Sequence, residues 1–200
     1  LLAILLGPSA AFLTVASVLV VQALFFADGG LLALGCNIFN LGVIPAFIIY
    51  PLLYRRLIGT APGPRREAAV TLFAALCAMQ LGALCVVLET ALSGVSELPL
   101  AKFLALMLPI HLAIGAVEGA VTLAVVSFLR KARPELLTRR THAEAAPSLK
   151  PFLVAALVCA LLVAGGISRF ASDSPDGLEW SIAGASGNAA PVAPHGVIAS

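Results

Sequence analysis

Four or five long apolar runs set the limits on what this chain can become, most of them near the ~20 residues that a helix needs to cross a bilayer. In hydrocarbon a backbone must satisfy its own polar groups, so an isolated run of this length is stable there only as a helix. The runs are predicted at residues 9–26, 41–54, 66–92, 100–129 and 151–170. Residues 1–6 read as the end of an earlier helix, broken at Gly7-Pro8, and Pro8 suits the first turn of the next. Pro45 and Pro51 predict kinks within the second run. Composition agrees: 60% of the residues are hydrophobic and 11% charged, against roughly 25% charged in soluble domains. The expected fold is an all-α membrane protein, a bundle of about five transmembrane helices surrounded by lipid, with no nucleic-acid partner.

Charge placement orients the runs. Arg55, Arg56, Arg65 and Arg66 crowd one short connection, and Arg130, Lys131, Arg133, Arg139, Arg140 and Lys150 crowd another. Two runs separate these connections, so both can lie on the cytoplasmic side, as the bias of Lys and Arg toward that side requires. Residues 28–40, residues 93–99 and the tail after Phe170 then face outward. Asp28, Glu89 and Glu97 fall toward that outer side, and an acidic, amide-rich mouth suits a cation. The expected organisation is a transmembrane domain over 1–130, a basic cytoplasmic linker over 131–150, a helix with a Pro-Asp-Gly turn over 151–180, and a disordered tail over 181–200.

Two segments carry candidate chemistry. The first is the run from Pro109 to Thr122, which places His111 and Glu118 inside an apolar helix. An ionisable group at that depth costs about 2.5–3.5 kcal/mol on insertion scales, so it needs a partner or a task. His111, Gly115, Glu118, Gly119 and Thr122 share one helical face, and small residues four apart let a second helix approach. This stripe is expected to be a buried polar seam that packs or couples helices. His111 and Glu118 stand about 10 Å apart along the axis, too far to ligate one ion together. The second segment is the loop predicted over 28–40, with Asp28, Gly29, Gly30, Asn37 and Asn40. Its glycines permit positive φ, and its amides can tie a loop closed over a site. Gln22, Gln80 and Glu89 read as polar contacts between helices. The four cysteines, Cys36, Cys77, Cys85 and Cys159, form no Cys-x-x-Cys pair, and Cys77, Met79 and Cys85 do not share a face, so they read as small buried residues.

Several motifs are missing from the sequence. It holds neither the phosphate-binding Gly-x-x-x-x-Gly-Lys-Ser/Thr pattern nor His-Glu-x-x-His. No nucleophile with an adjacent base is evident, so an enzyme is not expected.

The residues do resemble one family. Asp28, Gly29, Gly30, Ala33, Leu34, Gly35, Asn37, Asn40 and Gly42 carry a pattern similar to that of the CbiM/NikM family, the substrate-specific membrane subunits of cobalt and nickel energy-coupling-factor transporters. His111, Ile114, Gly115, Glu118, Gly119, Val121 and Thr122 carry a second pattern, and Arg133 to Leu137 continue it. Pro175-Asp176-Gly177-Leu178-Glu179 resembles the PDGLE segment of the small CbiN/NikN-like accessory subunit, here fused through the linker.

The resemblance implies capture of Co²⁺ or Ni²⁺ as a transported substrate, with no cofactor. It also implies a transmembrane coupling subunit and cytoplasmic ATPase subunits as partners. The family's metal ligands are the N-terminal amine, the histidine beside it and a further histidine, all of which would lie upstream of Leu1. The N-terminal helices are thus expected to be missing from this sequence. No residue here is expected to ligate the metal; Asp28, Gly29, Gly30, Asn37 and Asn40 would support the site from the outer loop. The competing reading is a structural transmembrane subunit of another transporter, without a metal site of its own.

Overall fold

The computed structural model describes residues 1–26, 29–60, 62–94, 98–132, 137, 154, 158 and 175–187. Among these the ordered elements are helices: α1 (Leu2–Leu6), α2 (Pro8–Phe25), α3 (Leu34–Ile58), α4 (Pro64–Ser93), α5 (Leu100–Ala132) and α6 (Gly177–Ser186). Helices α2 to α5, of 18, 25, 30 and 33 residues, are each long and apolar enough to cross a membrane. The span expected at 151–170 lies outside the described residues.

Glycine and proline punctuate the chain as their stereochemistry requires. Gly7 separates α1 from α2 at φ 81°, and Pro8 opens α2, where its missing N–H costs nothing. Pro64 opens α4 in the same way, and Gly94 closes it in the left-handed region at φ 66°.

Helix α3 departs from the sequence reading twice. It begins at Leu34, so Asn37 and Asn40 are helical, and the loop expected over 28–40 shrinks to a few residues around Gly29 and Gly30. Within it, Phe39–Tyr54 winds as a π-helix that contains both Pro45 and Pro51. The Arg55 N–H donates to the Tyr50 carbonyl, five residues back. A proline removes one backbone donor and crowds the carbonyl four residues before it. The wider winding takes up that conflict where sharp kinks are expected from sequence.

The two ends of the bundle have separate cores. At one end Tyr54, Val70 and Ala74 are buried together, with Ile4, Ile49, Tyr50, Leu53 and Ile58 packed on them. At the other, Ala83, Val87, Phe103, Met107 and Ala185 are buried, with Leu98, Leu106 and Leu178 against them. Helices α4 and α5 form the most extensive pair. Gly115 and Gly119 make it possible: a Cβ at Gly115 would stand 3.1 Å from the Met79 Cβ, and one at Gly119 would stand 3.1 Å from Leu72 Cδ2 and 3.3 Å from Leu72 Cα. Helix α2 lies on α3 with the Phe12 and Phe47 rings 5.4 Å apart and tilted by 51°. The outer surfaces carry exposed Leu13, Val18, Leu24, Phe25, Leu112, Val117 and Phe128. Hydrocarbon would surround such a surface without cost.

Candidate functional site at the Asn40–Glu89 ends of the helices

The turn that enters α3 is built around Gly29 and Asn37. Gly29 and Gly30 take φ of 72° and 71°, conformations that other L-residues rarely adopt. The Asn37 side chain reaches back eight residues and donates to the Gly29 carbonyl at 3.1 Å. A Cβ at Gly29 would stand 2.7 Å from that amide nitrogen, while one at Gly30 would meet nothing within 4 Å. Gly29 is thus required both for its backbone and for the space it leaves. Asp28 lies outside the described residues.

One turn further along α3, Asn40 is 4% exposed. Its amide donates to Oε2 of Glu89 on α4 at 2.8 Å. Gly82, two turns before Glu89, lets the α4 backbone come near: a Cβ there would be 3.6 Å from the Asn40 carbonyl oxygen. The Asn40 Oδ1 is buried with no hydrogen-bond partner among the described residues. Glu89 thus joins α3 to α4 at this end, a contact between helices as the sequence suggested, and its partner there is Asn40. The signal was present in the predicted topology, which sets Asn40 and Glu89 at the same end of neighbouring spans.

The His111 stripe is divided. Gly115 and Gly119 are buried against α4. His111 is half-buried, and its Nδ1 lies 2.8 Å from the Met107 carbonyl one turn back on its own helix. A carbonyl can only accept, so Nδ1 carries the hydrogen. Glu118 is exposed on this chain, so the buried polar seam expected to include it is not formed here. The seam is made by glycines, because close packing with α4 demands the absence of side chains.

The opposite ends of α4 and α5 hold a pair that the sequence reading missed. Glu67, 4% exposed, accepts from Arg130 Nε at 2.9 Å and Nη2 at 2.8 Å, both on Oε1. Beside it Arg66 Nε donates to the Leu57 carbonyl at 2.7 Å, fixing the turn at Gly59. Glu67 was discoverable as an acid within an otherwise basic connection. Among the described residues no group of three or more His, Cys, Asp or Glu side chains is arranged to hold a metal ion.

Four apolar helices joined by polar fasteners, with short connections, define a multi-pass helical membrane protein. The family model for the cobalt uptake substrate-specific transmembrane region, CbiM, matches residues 1–136, and the PDGLE domain model matches residues 150–199. The chain belongs to the CbiM family. It is 32% identical over 215 aligned positions to the fused nickel transport protein NikMN of Rhodobacter capsulatus, covering 96% of this chain and 61% of that one. It is 34% identical over 195 positions to the cobalt transport protein CbiM of Geobacter sulfurreducens, covering 90% and 54%. A CbiM of Sorangium cellulosum is 33% identical over 158 positions, covering 74% and 65%. The chain thus spans between about half and two-thirds of the length of these curated relatives. No solved structure gives a significant match.

Proposed function

We propose that the chain is the substrate-capture membrane component of an ATP-driven importer for divalent cobalt or nickel, working with a transmembrane coupling subunit and cytoplasmic ATPase subunits. The observation that carries this reading is the order of the two family matches along one chain, CbiM region first and PDGLE domain second. A nickel transport protein described as fused aligns with 96% of the chain, which supports the same arrangement. The metal is cargo rather than cofactor.

In this reading the cluster around Asn37, Asn40 and Glu89 holds the outer loop in place over the capture site, and Asp28, Gly29 and Gly30 shape that loop. A carboxylate with neighbouring amides attracts and orients a divalent cation without binding it tightly, which suits a mouth better than a store. The arginine-bearing ends lie on the cytoplasmic side and the tail outside. Supporting that orientation, α6 packs along the half of α5 remote from Arg130.

The test is uptake of radioactive cobalt and nickel by cells that lack their own high-affinity systems. The full-length gene is expressed with its coupling and ATPase partners. Accumulation of either ion that is lost when the ATPase is inactivated is expected; no ATPase-dependent accumulation of either ion would overturn the reading.

A further inference from the structure

We propose that the basic ends of α3, α4 and α5 form a binding site for an anionic phospholipid, its phosphate held among Arg55, Arg56, Arg65 and Lys131 and its acyl chains laid along the apolar stripe beneath them. The inference rests on the membrane-spanning helices and not on the transport reading.

The three helix ends are tied together at this place. Arg66 Nε donates to the Leu57 carbonyl at 2.7 Å, which pins the start of α4 to the end of α3. Arg130 Nη2 stands 2.8 Å from Glu67 Oε1, which pins the end of α5 to the start of α4. The cations beside these ties are gathered with them. Arg55 and Arg56 come just before Leu57, Arg65 just before Arg66, and Lys131 just after Arg130.

Charge at this end is out of balance. Residues 54–67 and 126–132 hold six cations and one acid, Glu67. That acid is buried and already engaged by Arg130. Arg66 is engaged by a carbonyl. Arg55, Arg56, Arg65 and Lys131 are exposed and make no hydrogen bond or ion pair among the described residues. Like charges held at one level repel, and an anion placed among them relieves the repulsion. The arginine fork suits phosphate in particular, because it offers two N–H groups in parallel.

What lies beneath the charges selects the anion. On α4, Arg65, Ala69 and Phe73 follow at four-residue steps and all three are exposed, so one stripe passes from charge to hydrocarbon. On α3, exposed Leu52 and Leu57 flank the arginines, and on α5 exposed Phe128 lies about one turn before Lys131. An acidic segment of a soluble protein would use the arginines and leave this apolar surface bare. A phospholipid uses both, since its charge sits at the headgroup level and its chains run down from there. The general bias of cationic residues toward one side of a membrane explains how many there are. It does not explain why three helix ends are fastened so as to bring them together. A lipid seated there adds a further tie between α3 and α4.

Native mass spectrometry of the full chain, released from an uncharged detergent, tests this with phosphatidylglycerol and phosphatidylcholine as probes. Phosphatidylglycerol is expected to bind about tenfold or more tightly than phosphatidylcholine. Arg56→Gln combined with Arg65→Gln is expected to remove that preference and leave phosphatidylcholine binding unchanged. Equal binding of the two lipids by the wild type, or a preference that survives in the double variant, would overturn the proposal. Displacement of phosphatidylglycerol by inorganic phosphate at equal concentration would show a site for the anion alone. Displacement by a polyglutamate peptide would show a surface for an acidic protein. Either result also overturns it. If the double variant fails to fold, ammonium acetate carries the test on the wild type. The preference is expected to shrink as added salt screens the charges, and a preference indifferent to salt refutes the site.

Discussion

Asn40 of α3 donates its side-chain amide to the Glu89 carboxylate of α4 across 2.8 Å, and its side-chain Oδ1 is buried with no partner among the described residues. Asymmetry follows from this. Glu89→Ala strands the whole Asn40 amide in the bundle, and an unsatisfied buried polar group costs about 1–3 kcal/mol. Asn40→Leu removes the buried polar atoms themselves and leaves a half-buried Glu89 at the helix end. Thermal unfolding in detergent is expected to rank Glu89→Ala below Asn40→Leu; the reverse order would show that the pair does not hold the helices together.

Gly29 and Gly30 share a left-handed backbone but not surroundings. Gly30→Ala incurs only the conformational strain, of order 1 kcal/mol. Gly29→Ala adds a collision with the Asn37 amide at 2.7 Å and breaks the bond that closes the turn. Metal uptake at limiting concentration is expected to fall clearly in Gly29→Ala and slightly in Gly30→Ala. Equal uptake in the two variants would show that closure of this turn is irrelevant to capture.

Gly115 and Gly119 give a similar contrast between α4 and α5. A methyl at Gly115 meets one atom fixed by the backbone, the Met79 Cβ at 3.1 Å, and otherwise side-chain atoms of Leu76 and Met79 at 3.4 Å, which can swing aside. A methyl at Gly119 meets Leu72 Cα, which moves only if the whole helix moves. Gly119→Ala is expected to destabilise by about 1–3 kcal/mol, and Gly115→Ala by less. Unfolding midpoints of the two variants measure the difference.

Breaking the Glu67–Arg130 pair should be costly from one side. Arg130→Ala leaves a nearly buried carboxylate without its cation, a situation worth about 3–5 kcal/mol when fully buried. The Arg130 side chain is 39% exposed, so the loss should sit below that range. Glu67→Gln removes the buried charge and should cost less than Arg130→Ala. If Arg130→Ala unfolds at the wild-type temperature, the pair adds nothing.

Where the fold was legible, the cause was local. The spans show as apolar runs, and Gly7-Pro8 marks one of their ends because backbone stereochemistry acts on single residues. The start of α3 was not legible. Gly29, Gly30, Gly35, Asn37 and Asn40 read as loop formers, yet Asn37 spends its amide on Gly29 and thereby supports a helix instead of competing with it. Helix α6 was missed: Pro-Asp-Gly reads as a turn and 181–200 as a disordered tail, because its residues are small; they are small because α5 lies against them. For the candidate site, the loop residues were named, but no spacing rule joins Asn40 to a glutamate 49 residues away. Glu118 was misplaced for a related reason. A helical wheel says which residues share a face, but not which part of that face a neighbour covers.

Helix α4 carries both acidic fasteners, Glu67 near its first turn joined to α5 and Glu89 near its last joined to α3. The two carboxylates are separated by 22 residues, about 33 Å of helix. A hydrocarbon core is about 30 Å thick. The chain thus contains a ruler with a polar stop at each end. Membrane thickness, and not only the contacts between helices, then sets how comfortably both stops can reach the headgroup level at once.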